Sequence, residues 1–95
     1  MNESAPARLR RLLEEYRRGT LEVGAFCSEF EHTYNMELNK RTLSPVESEA
    51  FGALFEEVVW YSPFAEERAK IQNYRGDEDI ARAAEIAASC LSGET

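Results

Sequence analysis

Histidine occurs once in this 95-residue chain, at His32, and cysteine twice, at Cys27 and Cys90. A structural zinc site draws about four ligands from such residues, and a serine or cysteine nucleophile needs a base to take its proton. Helical spacing places His32 with Ala25 and Glu29 on the outer side of its helix, away from Cys27 and Phe30. Cys27, Glu31 and His32 therefore diverge instead of converging on an ion, and no metal or cofactor is expected. Glycine is scarce too: the five glycines stand singly, so no glycine-rich loop is available to cradle phosphate. No apolar run approaches the roughly 20 residues that cross a bilayer. The opening "MNESAPARLRRLL" lacks the basic-then-apolar order of a secretory signal. The expectation is a cytoplasmic protein without a membrane partner, in which both cysteines sit on apolar helix positions as buried free thiols.

What is present is enough for one small core. The chain is 43% hydrophobic and 11% aromatic, with the apolar residues spread along its whole length, so residues 1–95 read as a single domain. Leu9, Leu12, Leu13 and Tyr16 recur at helical spacing, which predicts a first helix over 5–18, with Pro6 in its first turn and Gly19 ending it. Thr20 is positioned to cap a second helix over 21–38, whose stripe is Val23, Phe26, Cys27, Phe30, Tyr34 and Leu38. The short "GT" junction between them predicts an antiparallel hairpin.

After the polar connector "NKRT", the run "SPVE" is the firmest helix start in the chain. Ser44 caps, Pro45 fits the first position and Glu47 reaches back to the Ser44 amide. The third helix extends to about Tyr61, with Val46, Ala50, Phe51, Leu54, Phe55, Val58 and Tyr61 inward. Ser62-Pro63 breaks it and restarts a short turn, "FAEERAKI". Asp77 is expected to cap a last helix over 78–91, whose inward stripe of Ile80, Ala83, Ala84, Ala87 and Leu91 requires close helix approach. No segment alternates as a half-buried strand does. The expected fold is all-α, an antiparallel four-helix bundle with a short extra helical turn between helices three and four.

Charge is unevenly distributed. Residues 1–43 carry seven acidic and seven basic groups and sum to zero; residues 44–80 carry nine acidic and three basic and sum to -6, within a net charge of -7. Such a field repels nucleic acid and attracts basic surfaces. Arg8, Arg10, Arg11, Arg17 and Arg18 crowd the first helix, yet Glu14 and Glu15 offset them, so a solvated face is the better reading than RNA binding. The carboxylate pairs Glu14-Glu15, Glu56-Glu57 and Glu66-Glu67 are neighbours in sequence, and on a helix neighbours point about 100° apart, which suits solubility and not shared acid–base work. Ser44 opens a helix, as the carrier serine of an acyl carrier does, but Pro45 follows it and the Asp-Ser-Leu order is missing.

The third helix adds something its core does not explain. Glu49, Ala53, Glu56 and Trp60 fall on one strip opposite Phe51, Phe55 and Val58. Trp60 on that strip either packs under the turn that follows or anchors a partner.

The run "LSPVESEAFGALFEEVVWYSPFAEER", followed by "YRGDEDI", resembles the colicin D immunity proteins and their relatives encoded beside polymorphic bacterial toxins. The resemblance rests on the "LSP" helix start, the mid-helix "LF" pair, the aromatic and Pro63 at its end, Arg68 after two acidic residues, and the acidic lead into a last helix. More loosely it takes in "GTLEVGAFCSEF", and so covers residues 19–85. It implies a four-helix antiparallel bundle that binds a cognate tRNA-cleaving toxin domain and fills its active site with acidic side chains in place of substrate phosphates. Glu56, Glu57, Glu66 and Glu67 lie where the family's inhibitory acids lie, whereas Val59 and Phe64 stand at two positions where a gapless match would put acids. The candidate toxin-binding residues are Glu49, Glu56, Glu57, Trp60, Tyr61, Glu66, Glu67, Asp77, Glu78 and Asp79. The expected function is that of a non-enzymatic immunity protein whose partner is a basic toxin nuclease. An acidic helical adaptor or regulatory module is the alternative the same charge map permits; neither reading fixes an oligomeric state.

Overall fold

The computed structural model describes residues 3–61 and 75–93. They form four α-helices: α1 (Ala5–Arg17), α2 (Val23–His32), α3 (Pro45–Val58) and α4 (Asp77–Ser92). Among the described residues there is no strand, only an isolated bridge between Tyr61 and Arg75, and no helix long and apolar enough to cross a membrane. The expected extra turn between the third and fourth helices lies outside the described residues.

Local chemistry sets the helix ends. The Ser4 hydroxyl accepts the Ala7 N–H at 3.3 Å and Pro6 occupies the first turn of α1. Gly19, at φ +82°, takes the left-handed conformation that stops it. Thr20 does not cap α2 as expected. Its hydroxyl turns back and donates to the Glu15 carbonyl at 3.0 Å, beside the Thr20 N–H that also donates there at 3.0 Å, at the end of α1. With that hydroxyl committed, α2 begins two residues later behind Glu22, without a side-chain cap. Nor does α2 run to residue 38: from Thr33 to Glu37 the chain widens into a π-turn, closed by the Leu38 N–H on the Thr33 carbonyl at 3.0 Å. A 3₁₀ turn, Lys40–Thr42, then leads to α3. The box at Ser44 is complete: Ser44 Oγ accepts the Glu47 N–H at 3.1 Å and Glu47 Oε1 accepts the Ser44 N–H at 3.0 Å.

One core joins all four helices. Leu9, Leu12 and Leu13 from α1, Phe26 and Phe30 from α2, Phe51, Leu54 and Val58 from α3, and Ile80, Ala84, Ala87 and Leu91 from α4 are buried together. Each large apolar side chain so buried contributes on the order of 1.5–3 kcal/mol. A line of rings runs through it, from Tyr16 stacked on Phe26 at 4.5 Å, through Phe30, to Phe51 edge-on at 6.2 Å. Tyr34, stacked on Phe55 at 4.3 Å, closes the line, and burial pushes its phenol above the ordinary range. The most extensive helix pairing is α3 against α4. Ala50 of α3 and Ala84 and Ala87 of α4 are buried in that pair, small side chains that let two backbones approach. The α3–α4 pair carries most of the candidate residues.

Candidate partner-binding face

Helix α3 ends at Val58, three residues short of the expectation, because the chain is pulled away from helical geometry at Trp60 and Tyr61. The Trp60 carbonyl accepts the Arg75 N–H at 2.7 Å, Arg75 Nε donates to Glu57 Oε2, and the Tyr61 hydroxyl donates to Asp77 Oδ1 at 2.9 Å. These three bonds staple the exit of α3 to the entry of α4. The entry itself is capped differently from the sequence reading. Asp77 is the first residue of α4, Gly76 precedes it, and Asp79 Oδ2 accepts the Gly76 N–H at 3.0 Å. Asp77 loses the capping role because its carboxylate faces Tyr61 instead. Acids in this first turn also oppose the positive end of the helix dipole, a stabilisation of about 0.3–1 kcal/mol each.

The candidate residues accordingly divide. Glu57, Trp60, Tyr61, Asp77 and Asp79 gather at the staple. Glu57 and Asp77 are held there by Arg75 and Tyr61, and Asp79 also faces Arg82 Nη1 at 3.5 Å. Glu49, Glu56 and Glu78 are exposed and have no ion-pair or hydrogen-bond partner among the described residues. Glu49 sits on α3 about 12 Å along the axis from Glu57, at 1.5 Å per residue. Trp60 keeps 41% of its surface in water, so the strip of Glu49, Ala53, Glu56 and Trp60 does face outward. Glu66 and Glu67 lie outside the described residues, as does the turn proposed to cover Trp60.

The arginines of α1 behave in the opposite way. Arg8 reaches Glu29 at 3.2 Å and Glu37 at 3.5 Å; Arg10 reaches Glu47 at 2.9 Å; Arg11 bridges Glu3 and Glu15 at 3.0 and 3.1 Å; Arg17 bridges Glu14 and Glu85 at 3.0 and 3.1 Å. The Ser44 amide and then the Arg10 guanidinium hold the Glu47 carboxyl below its usual range. All four arginines of α1 are thus occupied within the chain, which removes the basic stripe a nucleic-acid surface needs.

Sequence reasoning missed a groove between α3 and α4. Its floor is apolar, from Ala50, Ala53 and Leu54 on one wall to Ala83, Ile86 and Ala87 on the other, and it encloses 240 Å³. Glu49 stands at one end and Glu57 with Asp79 at the other. Ile86 is 58% exposed. The signal was there: Ile86 is an isoleucine on α4 that does not belong to the alanine stripe.

Cys90 also lines this groove and is exposed, which corrects the expectation that both thiols are buried. The reason is one of phase, since Ala87 and Leu91 take the inward position on that turn and leave Cys90 beside it. Cys27 is buried as expected, and burial pushes its thiol up to about 12. His32 is exposed on α2, with Nε2 3.6 Å from Glu37. Among the described residues no group of three or more His, Cys, Asp or Glu is arranged to hold a metal ion. What the α3–α4 face offers is exposed carboxylate, aromatic and aliphatic surface, the chemistry of binding a cationic partner. No protein-family model, no curated protein and no solved structure matches the chain.

Proposed function

We propose that this chain is a non-enzymatic immunity protein, an antiparallel four-helix bundle that binds a basic, tRNA-cleaving toxin domain in the bacterial cytoplasm and denies it substrate. The observation that carries the reading is the set of carboxylates left unneutralised on α3 and α4: Glu49, Glu56 and Glu78 have no partner among the described residues, beside a half-exposed Trp60. An RNA-cleaving site is lined with cations that hold phosphates, and a carboxylate array presents the same charge to it. The antiparallel arrangement is supported by cross-helix pairs. Arg17 meets Glu85 at 3.1 Å while Arg10 lies beside Leu91, and Tyr16 meets Phe26 at 4.5 Å while Arg8 reaches Glu37 at 3.5 Å. The resemblance of residues 19–85 to the colicin D immunity proteins supports the choice of a nuclease over other basic partners.

Co-expression with the toxin domain encoded next to this chain tests the reading. Cells carrying both should survive at the rate of cells carrying neither. Survival no better than with the toxin alone would refute it and leave the acidic adaptor as the reading of this face.

A further inference from the structure

The groove between α3 and α4 is too small for a cofactor-sized molecule, whose pockets run to about 300–1,000 Å³. Its 240 Å³ suits one or two side chains. Floor and rim have different chemistry. Ala53 and the 58% exposed Ile86 leave apolar surface in contact with water along the middle, and carboxylates flank it at both ends. Glu49 has no partner among the described residues, and the opposite end carries Glu57 and Asp79 against Arg82. The lining sums to -2, and to -1 with the Arg75 that Glu57 holds, so the unneutralised charge is that of Glu49.

We propose that this groove is a docking site for a helical segment of a partner protein that presents leucine-sized apolar side chains flanked by lysine or arginine. Apolar anchors at helical spacing would lie over Ala53 and Ile86, where the small floor residues admit a third helix at close range. A cation at one end of the segment would meet Glu49, which has no partner among the described residues; at the other end, about 12 Å along α3 at 1.5 Å per residue or roughly two helical turns of the guest, a second cation would share Glu57 and Asp79 with Arg75 and Arg82. A second copy of the chain does not fit this description, because Arg8, Arg10, Arg11 and Arg17 of α1 are already engaged by the chain's own carboxylates and the exposed Arg18, Lys40 and Arg41 lie outside the α-helices. The inference does not depend on the partner being a toxin; it names the chemistry that the groove accepts.

The chain carries its own reporter. Cys90 lies in the groove and is exposed, while Cys27 is buried, so a maleimide added to the folded protein reads Cys90 alone. The probes are three helical peptides of equal length. One carries leucines at i, i+3 and i+7 between terminal lysines, the second replaces the lysines with glutamates, and the third replaces the leucines with serines. At a concentration of about ten times its Kd, the leucine–lysine peptide leaves roughly one groove in ten open and slows Cys90 alkylation about tenfold. The glutamate and serine peptides should leave the rate unchanged. Ala53→Arg, at an exposed helical position that arginine tolerates, should remove the protection while the circular dichroism spectrum stays that of the parent. Equal protection by the glutamate peptide, protection that survives Ala53→Arg, or no protection by any peptide overturns the proposal. So does alkylation that slows with protein concentration alone, which would identify a second copy as the occupant.

Discussion

Helix α1 and the α3–α4 pair handle charge in opposite ways. Arg8, Arg10, Arg11 and Arg17 each bond a carboxylate of the same chain, and several of those carboxylates come from far along the sequence, as in Arg17–Glu85 and Arg10–Glu47. On α3 and α4, Glu49, Glu56 and Glu78 stand exposed without such partners among the described residues, although Arg18 and Arg41 elsewhere on the surface carry the opposite charge. Exposed pairs of the α1 type stabilise by only about 0–1 kcal/mol each. Their main effect is to cancel the field over that half, so that the field over the other half goes unopposed. The difference teaches which side of the molecule is left with unbalanced charge, the side on which the proposed function puts the partner, and it can be tested from either side.

The two regions should differ at the surface and not inside. Leu13→Ala in α1 and Leu54→Ala in α3 each remove a side chain that is 1% exposed, and each should cost roughly 2–5 kcal/mol by transfer and cavity terms together. Urea melts of both variants check this. If either keeps the parent midpoint, the two regions do not share one cooperative core.

Binding should separate them. If the proposed function holds, reversing Glu49 and Glu56 to lysine should cost about 2–5 kcal/mol of affinity for the toxin domain, because cations of that domain would be left desolvated and unpaired. Reversing Glu14 and Glu15, which breaks pairs to Arg17 and Arg11, should leave affinity unchanged and cost about 1 kcal/mol of stability. Calorimetric titration decides, and equal affinity losses from the two pairs would erase the distinction. Trp60→Ala sharpens it further. As an anchor, Trp60 accounts for about 2 kcal/mol of affinity at an unchanged melting temperature, whereas a packing role lowers the melting temperature and spares affinity.

Between the two regions stands Glu47, which links α3 to Arg10 of α1. Its carboxyl is held below the ordinary 4.5 by the Ser44 amide and then by Arg10. A depressed folded value means that the stabilisation is fully present above the unfolded value and disappears as pH falls through the folded one. Glu47→Gln keeps an acceptor for the Ser44 N–H but loses the charge that faces Arg10 and the start of α3, so it should be less stable than the parent at neutral pH by about 0.5–1 kcal/mol, and the gap should close as pH falls below 4.5. Denaturant midpoints across that range show it. The smallest effect concerns rate: toxin association should slow as salt screens the acidic half, and a salt-independent rate constant would reduce that half to a solvated face.

Much of the fold was legible because it is local. The box at Ser44 needs only Ser44, Pro45 and Glu47 in order, and the stripes of α1, α2 and α4 need only the 3.6-residue period, so Leu9, Phe26, Phe30, Leu54 and Ile80 were assigned inward and lie inward. Where two local options compete, the nearest-neighbour reading fails. Thr20 could cap forward or bond back, and the end of α1 five residues behind it took the bond; Asp77 could cap or face Tyr61, sixteen residues away, and that distant partner took it. The π-turn at Thr33–Glu37 leaves no mark in a pattern whose apolar residues continue at helical spacing through Leu38.

By itself the sequence determined that the chain is helical, where its helices begin and end to within a few residues except at the C-terminal end of α2, which faces are apolar and that its acidity is concentrated after residue 43. Those properties depend on period, composition and capping, which act over a few residues. Only the tertiary structure decided which charges remain available. Glu56 and Glu57 are adjacent and chemically identical, yet Arg75, eighteen residues on, takes Glu57 and leaves Glu56 to solvent. Likewise Ile86 and Cys90 line a groove because α3 packs against α4. An ion pair, a groove and an exposure are properties of residues distant in sequence and close in space, and the chain's order carries no term for that distance.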